Sequence, residues 1–95
     1  MILQTNLQIL PLTELEQGHT FLVLVSNAQS AVSLQFRHAG DPTWRTHPDF
    51  SSVAPVGTVV ARAVICVSTD MRLSFADAPG GTYYVSCIPV ATATF

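Results

Sequence analysis

The residues best suited to chemistry lie in one segment, RHAGDPTWRTHPDF, which runs from Arg37 to Phe50. It holds two of the three histidines, two arginines, two aspartates and the only tryptophan. Imidazole and carboxylate groups are ligands for zinc or manganese, whereas an indole beside a guanidinium can bind a sugar or a protein partner. The same residues, with Gly40 and Pro42, can also form nothing more than a polar turn between strands.

A metal site in this segment would draw on His38, Asp41, His47 and Asp49. Their spacing, His-x-x-Asp and His-x-Asp with eight residues between the histidines, matches no metal site of known geometry. A catalytic site would need a nucleophile beside a base, and the chain has no Gly-x-Ser-x-Gly elbow, phosphate loop or dinucleotide fingerprint. We therefore expect no enzyme activity, no metal and no cofactor.

A hairpin accounts for the segment most simply, because Gly, Asp and Pro are residues of a tight reversal. We expect Asp41 to cap the turn and Trp44 to return onto the sheet, where its ring is either core or exposed. On this interpretation His38→Ala and His47→Ala each change stability by under ~0.5 kcal/mol, and Trp44→Ala costs about 3 to 5 kcal/mol if the ring is core. If the ring is exposed, Trp44, with Asp41 and Arg45, is a candidate for ligand binding or a subunit interface.

The composition points to association with other subunits. The 95 residues are 48% hydrophobic and only 11% charged, with no lysine, whereas soluble domains are usually about a quarter charged. A surface so poor in charge predicts that other subunits cover part of it, most simply in a homo-oligomer such as a trimer. The net charge of -2 argues against a nucleic-acid partner.

The sequence argues against a membrane span and a signal peptide. No apolar run reaches the roughly 18 residues of a membrane span. The first residues, MILQTNLQIL, have neither the positive charge nor the small-residue cleavage site of a signal peptide. Synthesis in the cytoplasm and no membrane partner are therefore expected.

Hydrophobic periodicity predicts an all-β fold, a small antiparallel β-sandwich or barrel-like single domain. VSLQFR and MRLSF alternate between apolar and polar residues, as half-buried strands do, while FLVLV and VVARAVICV are typical of central strands. TYYVSCIPV predicts a further strand in which Pro89 marks an edge or an exit and Tyr83 and Tyr84 point to opposite faces. Cys66 and Cys87 fit no metal or redox spacing and are expected to be small buried hydrophobes.

The N-terminal segment, residues 1–12, is expected to be an arm or an edge strand of this single domain. We predict one strand over Ile2–Leu10 followed by a turn, although LTELEQG could instead form one helical turn. Leu3, Leu7 and Ile9 are interface candidates, because an uncharged segment of this kind can add a strand to a neighbouring sheet. Deletion of residues 1–8 is then expected to weaken assembly more than folding.

Two pieces of the chain, VSLQFRHAGDPTW and MRLSFADAPGGTYYVS, resemble in pattern the small β-sandwich proteins of tailed-bacteriophage virions, especially capsid decoration (cement) proteins and fibre domains. The resemblance covers about residues 31 to 90. The chain departs from the pattern of these proteins at Asp41, which is followed by Pro42 where such hairpins often have glycine.

The resemblance implies a structural role in the virion without catalytic residues. A decoration protein stabilises the shell, commonly as a trimer, by bridging copies of the major capsid protein. The alternative that it leaves open is a carbohydrate- or receptor-binding module of a fibre or spike, with Trp44 as the binding platform.

Overall fold

A computed structural model, which describes residues 2–5, 7–12, 16–68 and 70–90, shows a chain built of β-strands. The eight strands are β1 (Ile2–Thr5), β2 (Ile9–Leu12), β3 (Thr20–Ser26), β4 (Val32–Phe36), β5 (Arg45–Thr46), β6 (Val59–Ile65), β7 (Met71–Phe75) and β8 (Tyr83–Pro89). The described residues contain no helix, and so none that could cross a membrane.

The strands form two four-stranded antiparallel sheets. Sheet A has the order β1-β8-β3-β6 and sheet B the order β2-β7-β4-β5. Consecutive strands alternate between the sheets except at β4 and β5, which are adjacent in sheet B. This is the strand order of an eight-stranded jelly roll. The predicted antiparallel β-sandwich is therefore confirmed.

The core lies between the two sheets and is filled by one face of each strand. β3 buries Phe21, Val23 and Val25, and β7 buries Met71, Leu73 and Phe75; the alternation in β7 is the one that the sequence predicts. Tyr83 is buried and Tyr84 is exposed, again as predicted. The Tyr83 hydroxyl donates to the carbonyl of Leu7, and burial raises the pKa of Tyr83 to about 12.

The two cysteines are free and buried, as the sequence predicts. Burial raises the pKa of both the Cys66 and Cys87 thiols, because a thiolate is poorly solvated in the core. The Cys66 thiol donates to the carbonyl of Ser68 at 3.0 Å. Both side chains therefore act as small apolar residues.

The prediction of a single strand over Ile2–Leu10 is wrong. The chain changes sheets instead: β1 pairs with β8 at one edge of sheet A, and β2 pairs with β7 at one edge of sheet B. The physical reason is the pattern in β2, where Leu10 and Leu12 are buried while Ile9 is exposed, so this strand covers a different part of the core. Of LTELEQG, Thr13 to Leu15 lie outside the described residues.

One strand position differs from the predictions, and the two alternatives for Pro89 are decided. β6 lies at an edge of sheet A, whereas its apolar run predicts a central strand. Only Val60 and Val64 of β6 are buried, because every second residue lies on the open outer face and Arg62, on the inner side, stays exposed. β8 is central, between β1 and β3, so Pro89 does not mark an edge strand; it is the last residue of β8 and marks the exit of the strand.

Candidate assembly surface and the hairpin site

The segment from Arg37 to Phe50 contains the predicted hairpin. β5 pairs antiparallel with β4, with Arg45 opposite Phe36. In the turn, the N–H of Asp41 donates to the carbonyl of His38 at 3.0 Å, and Gly40 has a φ of 83°, a left-handed conformation that glycine adopts at no steric cost.

Asp41 caps this turn as predicted. Its Oδ1 accepts a hydrogen bond of 2.9 Å from the N–H of Thr43, and its Oδ2 lies 3.4 Å from a guanidinium nitrogen of Arg45. The hydrogen bond from Thr43, with a smaller contribution from Arg45, lowers the pKa of Asp41. Asp41 and Arg45, two of the predicted binding residues, are therefore joined in a surface ion pair that stabilises the hairpin.

Trp44 is half-buried on the outer face of sheet B and lies outside the core. Two guanidinium carbons lie over its ring, that of Arg37 at 4.7 Å and that of Arg72 at 4.1 Å from the ring centroid. The interpretation of Trp44 as a core residue is therefore wrong. The ring packs on the polar surface because Trp44 directly precedes β5, opposite the end of β4.

The two arginines are held in place by their own partners. The Nε of Arg37 donates to Asp70 at 2.7 Å, and the Nε of Arg72 donates to the side-chain oxygen of Gln35 at 2.7 Å. These hydrogen bonds join the β4 and β7 regions on the outer face of sheet B. The same two guanidinium groups contact Trp44, which directly precedes β5. The two guanidinium groups also occupy ring surface of the indole on which a sugar would have to stack.

We expect Trp44→Ala to cost about 1 to 2 kcal/mol, less than truncation of a core tryptophan. The loss comprises two exposed cation–π contacts, each worth about 0.5 to 1 kcal/mol, and some packing on the sheet. Urea denaturation of the variant and of the wild type gives the difference directly. A loss near 4 kcal/mol would show that the indole packs as a core residue.

His47 is buried, with 2% of its surface exposed, and both ring nitrogens are used. Nδ1 accepts the N–H of Asp49 at 3.1 Å, so Nε2 carries the proton and donates to the carbonyl of Ile65 at 3.0 Å. The small effect expected of His47→Ala treats His47 as a surface residue, and its burial contradicts that. The hydrogen bond from the imidazole joins the segment that follows β5 of sheet B to β6 of sheet A.

The other suggested metal ligands are not gathered around His47. His38 is exposed, and its ring packs edge-on against Phe36 with the centroids 5.5 Å apart. In the described part of the chain, no three histidine, cysteine or acidic side chains are placed to hold a metal ion.

A groove of about 520 Å³ lies between β6 and the segment 48–53. Asp49, Ser51 and Arg62 are its polar lining residues, and no histidine or cysteine lines it.

The predicted interface residues of the N-terminal segment lie on the edge strands and the connection between them. The backbone of Leu3 pairs with Val85 of β8 in the same chain. Leu7 and Ile9 are half-exposed, at 50% and 46%. The segment is therefore paired within its own sandwich.

The outer face of sheet A is uncharged throughout its described positions. Leu24 lies between Ala61 and Ser86, and Leu22 lies between Ala63 and Ile88 in the next row. We call this surface the uncharged face; its described residues are Thr20, Leu22, Leu24, Ser26, Val59, Ala61, Ala63, Ile65, Tyr84, Ser86 and Ile88. Val59, Ile65, Tyr84 and Ile88 are between 40% and 51% exposed.

The two outer faces of the sandwich therefore differ in chemistry. Sheet B carries Arg37, Arg72 and Asp70 around Trp44, while Arg62 of β6 is paired with the inward-pointing Val23 and does not belong to the uncharged face. A sheet face in contact with water usually carries polar side chains. The uncharged face is suited to burial against another protein, because no charge has to be desolvated.

Sequence reasoning missed this surface, although a signal for it was present. FLVLV and VVARAVICV are apolar on both sides of the strand, which we interpreted as burial within the domain. The structure covers only one side, and the second side forms the uncharged face. When the residues on both sides of a strand are apolar, both sides are expected to be buried. The pattern does not show what covers the second side.

No protein-family model, curated protein or solved structure matches this chain. The jelly-roll fold occurs in viral capsid proteins, lectins and cupins, so it does not define a function by itself.

Proposed function

We propose that this chain is a non-enzymatic structural protein of a tailed-bacteriophage virion, a decoration protein that stabilises the capsid through subunit contacts. The uncharged face of sheet A is the observation that carries the proposal. A decoration protein acts by burying surface against its neighbours, and a face without charged side chains supports that role.

The proposed partners are further copies of the chain, in a trimer, and the major capsid protein. Nucleic acid is not a proposed partner, because two of the four arginines are neutralised locally. Arg37 pairs with Asp70 and Arg45 pairs with Asp41. Phosphate binding needs clustered cations that are free to replace counterions.

The carbohydrate-binding alternative depends on Trp44 as a stacking platform. Arg37 and Arg72 lie over the indole and are themselves hydrogen-bonded, so the ring surface that they occupy is not free to stack on a sugar. We therefore retain only the structural function.

Protein analysis of purified particles tests the proposal. In particles of the phage that encodes the chain, we expect the chain at a fixed ratio to the major capsid protein and its loss to lower the temperature at which the shells release DNA. Absence of the chain from purified particles would contradict the proposed function.

A further inference from the structure

We infer that the open edge of β6 binds a short extended segment of another protein, which adds to sheet A as an antiparallel strand and places an acidic side chain beside Arg62. The site is the groove between β6 and the segment 48–53. It is separate from the uncharged face and stands independently of the proposed function.

The backbone groups of β6 alternate between its two edges. The N–H of Cys66 donates to the carbonyl of His19, next to β3, at 2.9 Å, and this bond fixes the phase of the ladder. Even-numbered residues of β6 therefore bond to β3, and odd-numbered residues direct their N–H and C=O groups to the open edge of sheet A. The residues that face the open edge are Val59, Ala61, Ala63 and Ile65.

Both ends of this open edge are closed by the chain itself. At one end, Val56 and Val59 exchange backbone hydrogen bonds of 2.9 and 3.1 Å. At the other end, the carbonyl of Ile65 accepts the Nε2 proton of His47 at 3.0 Å. A long strand would collide with both ends, so the edge resists open-ended assembly and accepts only a segment that fits opposite residues 60–64.

The middle of the edge is open. The N–H and C=O groups of Ala61 and Ala63 have no hydrogen-bond partner in the described part of the chain, and both residues are exposed. Their methyl side chains leave the backbone accessible in a groove of about 520 Å³. Backbone groups at a sheet edge bind an extended peptide by main-chain hydrogen bonds. An antiparallel segment makes four such bonds with three consecutive residues.

Arg62 determines which side chain the middle residue of the segment should carry. Arg37, Arg45 and Arg72 each bond to a neighbouring side chain, whereas Arg62 has no side-chain partner among the described residues. The middle residue would lie directly opposite Arg62, in a pair whose Cβ atoms are about 4.5 to 5.5 Å apart, and would point to the same side of the sheet. A carboxylate at this position pairs with the guanidinium.

The two residues that flank the acidic one lie opposite Ala61 and Ala63. Their side chains point to the outer side of sheet A, where they extend the uncharged face, so apolar β-branched residues suit both positions. Asp49, on the opposite wall, is the one acidic residue among the described lining residues and opposes the binding of additional carboxylates. The preferred segment therefore has the pattern apolar, acidic, apolar.

A chemical-shift titration of the isotope-labelled full chain with the blocked peptide acetyl-Thr-Val-Glu-Val-Thr-amide tests the inference. We expect millimolar or tighter binding, with the largest shifts at the amides of Ala61 and Ala63. The peptide with lysine in place of glutamate should bind at least tenfold more weakly. Arg62→Gln should weaken binding of the glutamate peptide about fivefold, and Asp49→Asn should strengthen it.

Ala63→Pro removes a donor from the open edge and should abolish binding. Proline is tolerated on an edge strand where its nitrogen faces away from the ladder. Thr46→Pro is the matched control, because the N–H of His47 donates to Leu34 of β4 and the N–H of Thr46 therefore faces the open edge of sheet B. This control should bind like the wild type, and circular dichroism establishes that each variant is folded.

Three results would overturn the inference: shifts centred on another surface, equal binding of the glutamate and lysine peptides, or no binding at about 5 mM peptide. The shift map and the Arg62→Gln comparison apply even if Ala63→Pro does not fold. Self-association of the chain that Ala63→Pro abolishes would show that a second copy occupies the edge, which would overturn the inference of a different partner.

Discussion

Deletion of residues 1–8 is expected to leave a chain that does not fold. The deletion removes β1, which pairs with β8, and the Leu7 carbonyl that accepts the hydroxyl of Tyr83. It also removes the carbonyl of Gln8, which accepts the N–H of Phe75 at 3.0 Å. A buried hydroxyl without a partner alone costs about 1 to 3 kcal/mol, and a domain of this size has only about 5 to 10 kcal/mol of stability. This reverses the expectation drawn from the sequence.

Circular dichroism and urea titration of the truncated chain measure the effect. A synthetic peptide of residues 1–8, added in trans, is expected to restore the fold at millimolar concentration, and a peptide of scrambled order serves as its control. A truncated chain that unfolds cooperatively with near wild-type stability, and loses only its assembly, would show that the segment is an arm after all.

Replacement of His47 by alanine is expected to destabilise the protein by about 2 to 4 kcal/mol. The variant leaves the N–H of Asp49 and the carbonyl of Ile65 without partners, and it opens a cavity beside Phe36, whose ring centroid lies 6.3 Å from that of His47. Urea denaturation is the measurement.

His38→Ala is the matched control for His47→Ala, because its imidazole is exposed. It should change stability by less than ~0.5 kcal/mol. His47→Gln offers N–H donors and a carbonyl acceptor on its side-chain amide and should recover part of the loss. If His47→Ala were as stable as His38→Ala, the hydrogen bond from His47 to Ile65 would contribute nothing to the stability of the fold.

The local sequence pattern was sufficient to predict strands that lie inside a sheet, such as β4 and β7. Val32 and Leu34 of β4, and Met71 and Leu73 of β7, alternate with polar residues, and a strand's side chains alternate wherever it is placed. The hairpin could also be predicted from local sequence, because Gly40 and Asp41 form the turn with neighbouring backbone groups. The all-β class and the Asp41 cap therefore followed from the sequence alone.

Only the tertiary structure decided what lies next to each strand. The partner of His47 is Ile65, 18 residues away, and the partner of Tyr83 is Leu7, 76 residues away. No local pattern specifies such pairs, because the jelly-roll topology brings these segments together. For the same reason, the apolar runs of β3 and β6 predicted two buried sides, but only the arrangement of the sheets shows that one side faces the core and the other remains open as the uncharged face.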